Sequence, residues 1–382
     1  TLAGVYSRFK SSSFAGGNIA IINDNRGDDY VNTGNNTYAH SDTYNMTVGQ
    51  NSTMNPGFFS AGYLAINAAN TLKENLEKRD HLPISEAKRQ QYIASCLFIR
   101  DISWYYLSQV YSQPYAYDPN SKAIPVHTEA VIGPGQNDTR LWTISEIYDQ
   151  IITDLSSNVI AALPAGGVSG FDPTIPTQPA AHMLLQRIYM AKQEWQKAID
   201  EGEQVTGFTL SGSVREMFDA PYHTAENIYS LPFTNTERGG GNPASYISSA
   251  VGYIDTLNVR TGIVTIPAYH LATDSRTSFI KVDPVTGRET WYEKYDEYNT
   301  PLEWIHIFRY AETLLNLSES YYNLGNYAKA AQLLHQVRSR SIPTGDIIDV
   351  TALTGDELRD AIYNERRAEF IGEGLRGLDI SR

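Results

Sequence analysis

The chain is poor in the residues on which most enzyme and metal chemistry depends. One cysteine, Cys96, in 382 residues excludes an internal disulfide and a cysteine-built metal site. It lies in the helical stretch IASCLFI (93–99), where a buried small apolar residue is the expected role. The eight histidines are scattered, with no pair at metal-ligand spacing, so zinc is not expected. Phosphate-binding GxxxxGK, the GxSxG nucleophile turn and HExxH are all missing. Positive charge is scarce as well. Thirty Lys and Arg stand against 43 Asp and Glu, a net charge of −13, and such a field repels a polyanion, which argues against nucleic-acid binding. No apolar run approaches the ~18 residues that span a bilayer as a helix.

What the chain has in excess is tyrosine: 26, against 12 Phe and 5 Trp. A tyrosine ring packs well and keeps its polar tip wet, so the excess points to aromatic surfaces with one solvated edge. These rings are spread over two kinds of segment. Residues 57–80, 85–111, 143–163, 178–191, 194–206, 303–324, 326–340 and 355–375 carry helical periodicity, and TLAGVYSRFK (1–10) reads as an amphipathic helix. Ser85 and the Thr143-to-Glu146 capping box mark two helix starts, and Pro114 and Pro164 mark stops. The remaining segments, 11–56, 113–142 and 207–301, are rich in Gly, Pro, Asn and β-branched residues and read as irregular chain with short strands.

Two of the helix pairs share a turn pattern. Trp195-Gln-Lys-Ala198 and Tyr327-Ala-Lys-Ala330 each place an aromatic after a short turn and an alanine three residues on. The aromatic is expected to fill the turn and the alanine to let the helices approach, as in tetratricopeptide units. The predicted fold is therefore mainly α, a tetratricopeptide-like superhelix of helix pairs with an irregular lobe carrying short β-strands. It is expected as one domain over 1–382. Its helical scaffold would comprise 57–112, 143–206 and 302–382, and loop-rich lobes would occupy 11–56, 113–142 and 207–301.

Glycosidase chemistry needs two carboxylates 5–10 Å apart. Glu293, Asp296 and Glu297 cluster in WYEKYDEYN, and solvated surface charge is the preferred reading in so acidic a chain. The segment NDNRGDD (23–29) resembles a calcium loop in composition only, lacking the spaced acids of an EF-hand. No cofactor is expected, a structural calcium there being weakly supported. In the last helix Glu365 falls on the apolar face, and Arg309 is a similar misfit at the start of an earlier one. A buried carboxylate needs a partner, so Arg309, Glu312, Glu365 and Arg366 are expected to form an ion-pair network pinning two helices, in preference to an acid/base site.

These same residues carry a resemblance. IYNERRAEFIGEGLRGLDISR (362–382), FRYAETLLNLSES (308–320), Leu324-Gly325, Val337-Arg338-Ser-Arg340, and Asp274-Ser-Arg276 with Lys294-Tyr295 are similar to the signatures of the SusD/RagB family of Bacteroidetes outer-membrane nutrient-binding lipoproteins. Ser318, Ser320 and Ser341 stand where the family pattern usually has alanine. The resemblance implies a non-catalytic surface protein that partners a SusC-like TonB-dependent transporter and captures a nutrient, usually a glycan. It also implies an N-terminal lipid anchor, whose cysteine is not among these residues, and further chain at both ends.

Aromatics on the helical stripes (Trp104, Tyr105, Tyr148, Tyr189, Trp195, Tyr310, Tyr321, Tyr327) are expected in the core. In the family the ligand lies between the early loop and the long middle excursion. The expected ligand-binding residues are therefore Tyr38, Tyr44, Asn45, Tyr246, Tyr253 and Trp291. Alternatives are a tetratricopeptide-type assembly scaffold without a small ligand, a peptide-binding RagB-like protein, and a secreted hydrolase using Glu293 or Asp296.

Overall fold

The computed structural model describes residues 1–32, 41–49, 52, 54–79, 81–237, 254–257, 263–266, 272–282, 289–292, 294–295, 302–347 and 349–382. The chain opens with α1 (Leu2–Phe9), whose first turn is capped by the Thr1 hydroxyl accepting from the Gly4 amide. Then come α2 (Asn18–Asn25), β1 (Tyr30–Asn32), α3 (Ser41–Tyr44) and two long helices, α4 (Met54–Lys78) and α5 (Glu86–Tyr111). The Ser85 hydroxyl accepts from the Lys88 amide and starts α5. After the short strands β2 (Lys122–Pro125) and β3 (Leu141–Thr143), the Thr143–Glu146 capping box opens α6 (Ile144–Asp154). The expected helix continues to residue 162, but as a π-helical turn, Leu155–Val159, and a 3-10 turn, Ile160–Ala162.

The second half holds α7 (Gln178–Ala191), α8 (Trp195–Gly202), α9 (Arg215–Phe218), β4 (Asn227–Leu231), β5 (Ile254–Leu257), β6 (Ile280–Val282), β7 (Glu289–Tyr292), β8 (Ile305–Arg309), α10 (Tyr310–Asn323), α11 (Tyr327–Ser341), α12 (Gly355–Phe370) and α13 (Arg376–Ile380). The chain is mainly α-helical, and helices pack as pairs: α4 on α5, α7 on α8, and α10 on α11. The strands form two-stranded antiparallel ribbons, β1–β5, β2–β3, β4–β8 and β6–β7. One apolar core runs from α1 through α4–α7 to the β4–β8 ribbon, and a second joins α10, α11 and α12.

The helix turns show why the pairs close. Ala198 and Ala330 are fully buried at the helix contacts. The backbone between the paired helices must pass through left-handed φ. Gly325 does so at +78° without cost, while Gln193 does so at +56°. The aromatics at these turns depart from expectation: Trp195 is half-buried and Tyr327 is 37% exposed, leaning on Tyr322 at the surface. Trp104, Tyr105, Tyr148 and Tyr189 are buried, whereas Tyr310 and Tyr321 are only partly so. Residues 305–309, expected as helix, form β8 instead and pair with β4 (Leu231↔Ile305, Asn227↔Arg309). A short, largely apolar run such as IHIF fits a buried strand as well as a helix. The early segment is also less loop-like than its composition implied, since Asn18–Asn25 is a helix with Ile19, Ile21 and Ile22 buried.

Candidate functional site

The charged residues that looked misplaced in the sequence gather at one buried locus. Arg309 ends β8 and caps α10, with its guanidinium 2% exposed. Its Nη1 donates to Glu226 Oε1 at 2.7 Å and Glu369 Oε1 at 2.6 Å. Its Nε donates to Glu373 Oε2, and its Nη2 to Glu373 Oε1, both at 2.8 Å. Arg340 from α11 bonds the same Glu226 and Glu369. Arg276, held by Asp274, reaches Glu365 at 2.6 Å and Glu369 at 3.2 Å, and Arg338 closes on the other Glu365 oxygen at 2.8 Å. Lys294 donates to the Glu369 carbonyl and to Glu373, each at 2.5 Å.

Five cations (Arg276, Lys294, Arg309, Arg338, Arg340) thus meet five carboxylates (Glu226, Asp274, Glu365, Glu369, Glu373), and the cluster is formally neutral. That balance is what makes burial of so many charges tolerable. Burial alone would lower the Arg309 guanidinium, but Glu373, Glu369 and Glu226 raise it well above its ordinary value. Burial would raise the Glu369 carboxyl, yet Arg340, Arg309 and Arg276 hold it well below the usual range. The Lys294 ammonium goes the other way, pushed down to about 8 by burial despite Glu373.

The network is wider than the two-helix pin expected. Arg309 and Glu365 share the cluster through Glu369 and Arg276, which bridge them. Glu312 pairs instead with Arg187 of α7 at 2.6 and 2.7 Å, and Arg366 with Asp379 and Asn316. Glu226 and Arg187 escaped sequence reasoning. The available signal was a charged residue inside an apolar run, as in MLLQRIYM around Arg187.

The acids of 23–29 are also engaged by protein groups. Asp28 accepts from Arg376 at 2.6 Å, and Asp29 from Arg367 at 2.7 Å and from the Ile263 amide at 2.8 Å. Asp24, buried on α2, accepts from the Gly374 amide at 3.2 Å. Among the described residues no group of three or more His, Cys, Asp or Glu is placed to hold a metal ion.

The ring candidates are reached through the ribbons. β1 and β5 pair antiparallel (Tyr30↔Leu257, Asn32↔Ile254). The chain leaving Asn32 toward Tyr38 and the chain arriving at Ile254 from Tyr253 therefore emerge at the same end of the ribbon. β7, which carries Trp291 opposite Lys281 of β6, lies beside β5. Tyr44 ends α3 half-buried, and Asn45 follows it exposed. Tyr38, Tyr246 and Tyr253, like Glu293 and Asp296, lie outside the described residues. Tyr30, a neighbour of these candidates, is 2% exposed and belongs to the core.

Comparison with known proteins gives a consistent result. A profile described as "SusD family" matches residues 284–382, and one described as "Starch-binding associating with outer membrane" matches 13–190. The crystal structure of a SusD superfamily protein from Bacteroides fragilis superposes with a TM-score of 0.92 at 38% identity, covering 100% of this chain and 88% of that one. SusD-like protein P2 of Formosa agariphila is 23% identical over 437 residues, 99% of this chain and 82% of that protein. The match to SusD-like protein P38 of the same organism is local, 41% over 83 residues and 16% of that protein's length. Surface glycan-binding protein A from Bacteroides thetaiotaomicron, solved with laminarihexaose, shares the fold at a TM-score of 0.75 and 16% identity. On the two profile matches and the 38% identity across its whole length, the chain belongs to the SusD family of outer-membrane-associated nutrient-binding proteins.

Proposed function

We propose that this chain is a non-catalytic cell-surface protein that captures a glycan and passes it to a SusC-like TonB-dependent transporter. The helix pairs over 57–112, 143–206 and 302–382 act as a tetratricopeptide-like frame that docks on the transporter. A lipid anchor N-terminal to Thr1 tethers the protein to the outer membrane. The ligand lies against Tyr38, Tyr44, Asn45, Tyr246, Tyr253 and Trp291.

What supports the reading is the β1–β5 pairing with β7 alongside, which brings together the segments that carry or adjoin these rings. A pyranose has an apolar face of C–H groups and a polar rim, and a tyrosine offers both complements. A ring that hides about 60 Å² of sugar contributes about 1.5 kcal/mol at ~25 cal/mol/Å². Capture at micromolar to millimolar affinity needs ~4–8 kcal/mol, so two to four rings with hydrogen bonds suffice after association costs.

The test is titration calorimetry with maltohexaose and laminarihexaose. Replacing Tyr38, Tyr44, Tyr246, Tyr253 and Trp291 together by alanine is expected to weaken binding at least ten-fold with the helical melt unchanged. Binding left untouched by all five substitutions sinks the assignment.

A further inference from the structure

One face of α4 does two different things along its length. Toward its C-terminal end Asn67, Asn70 and Glu74 clamp the backbone of the loop that follows β2. The Asn67 amide donates to the Val131 carbonyl at 3.2 Å and accepts from the Val131 amide at 2.8 Å. Asn70 donates to the carbonyls of His127 and Glu129 at 2.8 and 3.0 Å, and Glu74 accepts from the Ala130 amide at 2.6 Å. These positions recur at three- and four-residue spacing on one helix face. The same face continues one and two turns back with Tyr63 and Phe59. Their rings touch at 4.5 Å between centroids, and the Tyr63 hydroxyl is fixed on the Pro125 carbonyl at 2.5 Å.

Between this aromatic pair and the clamped loop lies an open groove of about 550 Å³. That volume falls within the roughly 300–1,000 Å³ of small-molecule sites. Its floor is Phe59, Tyr63 and the buried His127, set edge-on to Tyr63 at 5.7 Å, and its rim is the exposed Ser60, Asn137 and Thr139. Among the described residues that line it there is no Lys, Arg, Asp or Glu. Burial also pushes the His127 imidazole below its ordinary value, so the floor is neutral at pH 7. In a chain of net charge −13, and with Asp138 close enough to act on the His127 ring, described lining residues that include no Lys or Arg select against uronates and phosphates.

We infer that this groove between α4 and the clamped 127–139 loop is a second saccharide-binding site, for one or two neutral pyranose units, independent of the rings at the β1–β5 ribbon. It rests on the glycan-binding reading for its ligand class but not for its residues. The clamp hydrogen bonds hold the wall in place before a ligand arrives, which lowers the ordering cost of binding. Phe59 and Tyr63 supply the stacking faces, and Ser60, Asn137 and Thr139 the hydroxyl partners.

The test is hydrogen–deuterium exchange on the whole chain with millimolar maltohexaose or laminarihexaose, and an oligogalacturonide of equal length as the charged control. The expected result is at least two-fold slower exchange across 125–139 with a neutral hexaose and none with the charged one. Protection should persist in the Tyr38→Ala/Tyr253→Ala variant and vanish in Asn137→Ala/Thr139→Ala, whose altered positions are exposed and whose melt should not move. Protection confined to 125–139 in the wild type supports this site while counting against the ribbon rings. Protection confined to the ribbon segments overturns this site and leaves the ribbon reading standing. Equal protection by the charged sugar, loss of protection in the Tyr38→Ala/Tyr253→Ala variant, or none with either neutral hexaose likewise overturns it.

Discussion

Arg309→Met tests whether the buried charge cluster is architecture or a binding device. The guanidinium donates five hydrogen bonds: two to Glu373, one each to the carboxylates of Glu226 and Glu369, and one to the Glu369 carbonyl at 2.9 Å. Methionine fills similar space over Phe370, which the guanidinium now covers at 4.5 Å. It leaves three carboxylates short of one cation. None is fully orphaned, because Arg340 still meets Glu226 and Glu369, Arg276 meets Glu369, and Lys294 meets Glu373. Removing one partner from a buried ion pair costs about 3–5 kcal/mol. An unfolding entropy of about 2.1 cal/mol/K per residue gives roughly 0.8 kcal/mol/K for this chain, so the expected fall in Tm is about 4–6 °C. The assay pairs a calorimetric melt with glycan titration on the same preparation. Tm should drop and affinity should hold. A melt within 1 °C of wild type, or lost binding at unchanged Tm, would refute the structural role.

Three further outcomes follow from single sites. The buried His306 imidazole is pushed down to about 4, chiefly by burial, and is held neutral with Nε2–H donating to the Met217 carbonyl at 2.7 Å and Nδ1 facing Ser230 and Asn227. Between its unfolded value of about 6.5 and pH 4 the unfolded chain binds the extra proton, so stability falls as pH falls, by up to about 3 kcal/mol. His306→Gln should flatten that slope in urea titrations across pH 4–6.5, and an unchanged slope would contradict it. Gly374 sits at φ +75°, and an added Cβ would lie 2.3 Å from the Ala20 Cα. Gly374→Ala is therefore expected to cost about 2–4 kcal/mol by chemical denaturation, and a cost below 1 would show that α2 can move aside. Cys96 is 1% exposed with its thiol pushed up to about 12 by burial. It should resist Ellman's reagent until the chain unfolds, and rapid labelling at pH 8 would count against this packing.

Legibility followed the range of the interaction. The starts of α5 and α6 were readable because Ser85 and the Thr143–Glu146 box cap helices with bonds three residues long. β8 reads as helix from sequence because Ile305–Phe308 is short and apolar apart from His306, and only its pairing with β4, some 80 residues earlier, makes it a strand. Glu365 stood out as a carboxylate on an apolar face. Its partners Arg276 and Arg338 could not be named, because nothing local distinguishes one distant arginine from another. The 23–29 acids looked like a cation loop for the same reason: composition shows that oxygens are present but not which arginines claim them. The turn pattern places Tyr327 in its turn, but the ring lies 37% exposed against Tyr322, a contact the pattern does not encode.

The contacts of Asp24, Asp28 and Asp29 with Gly374, Arg367 and Arg376 join positions 338 to 350 residues apart. Their donors are therefore synthesised some 340 residues after the acids they satisfy. Until residues 367–376 arrive, α2 lacks these partners, and contacts at such separation slow the closing step. Deleting residues 367–382 should therefore loosen α2 first, making it the most protease-sensitive part of the shortened product.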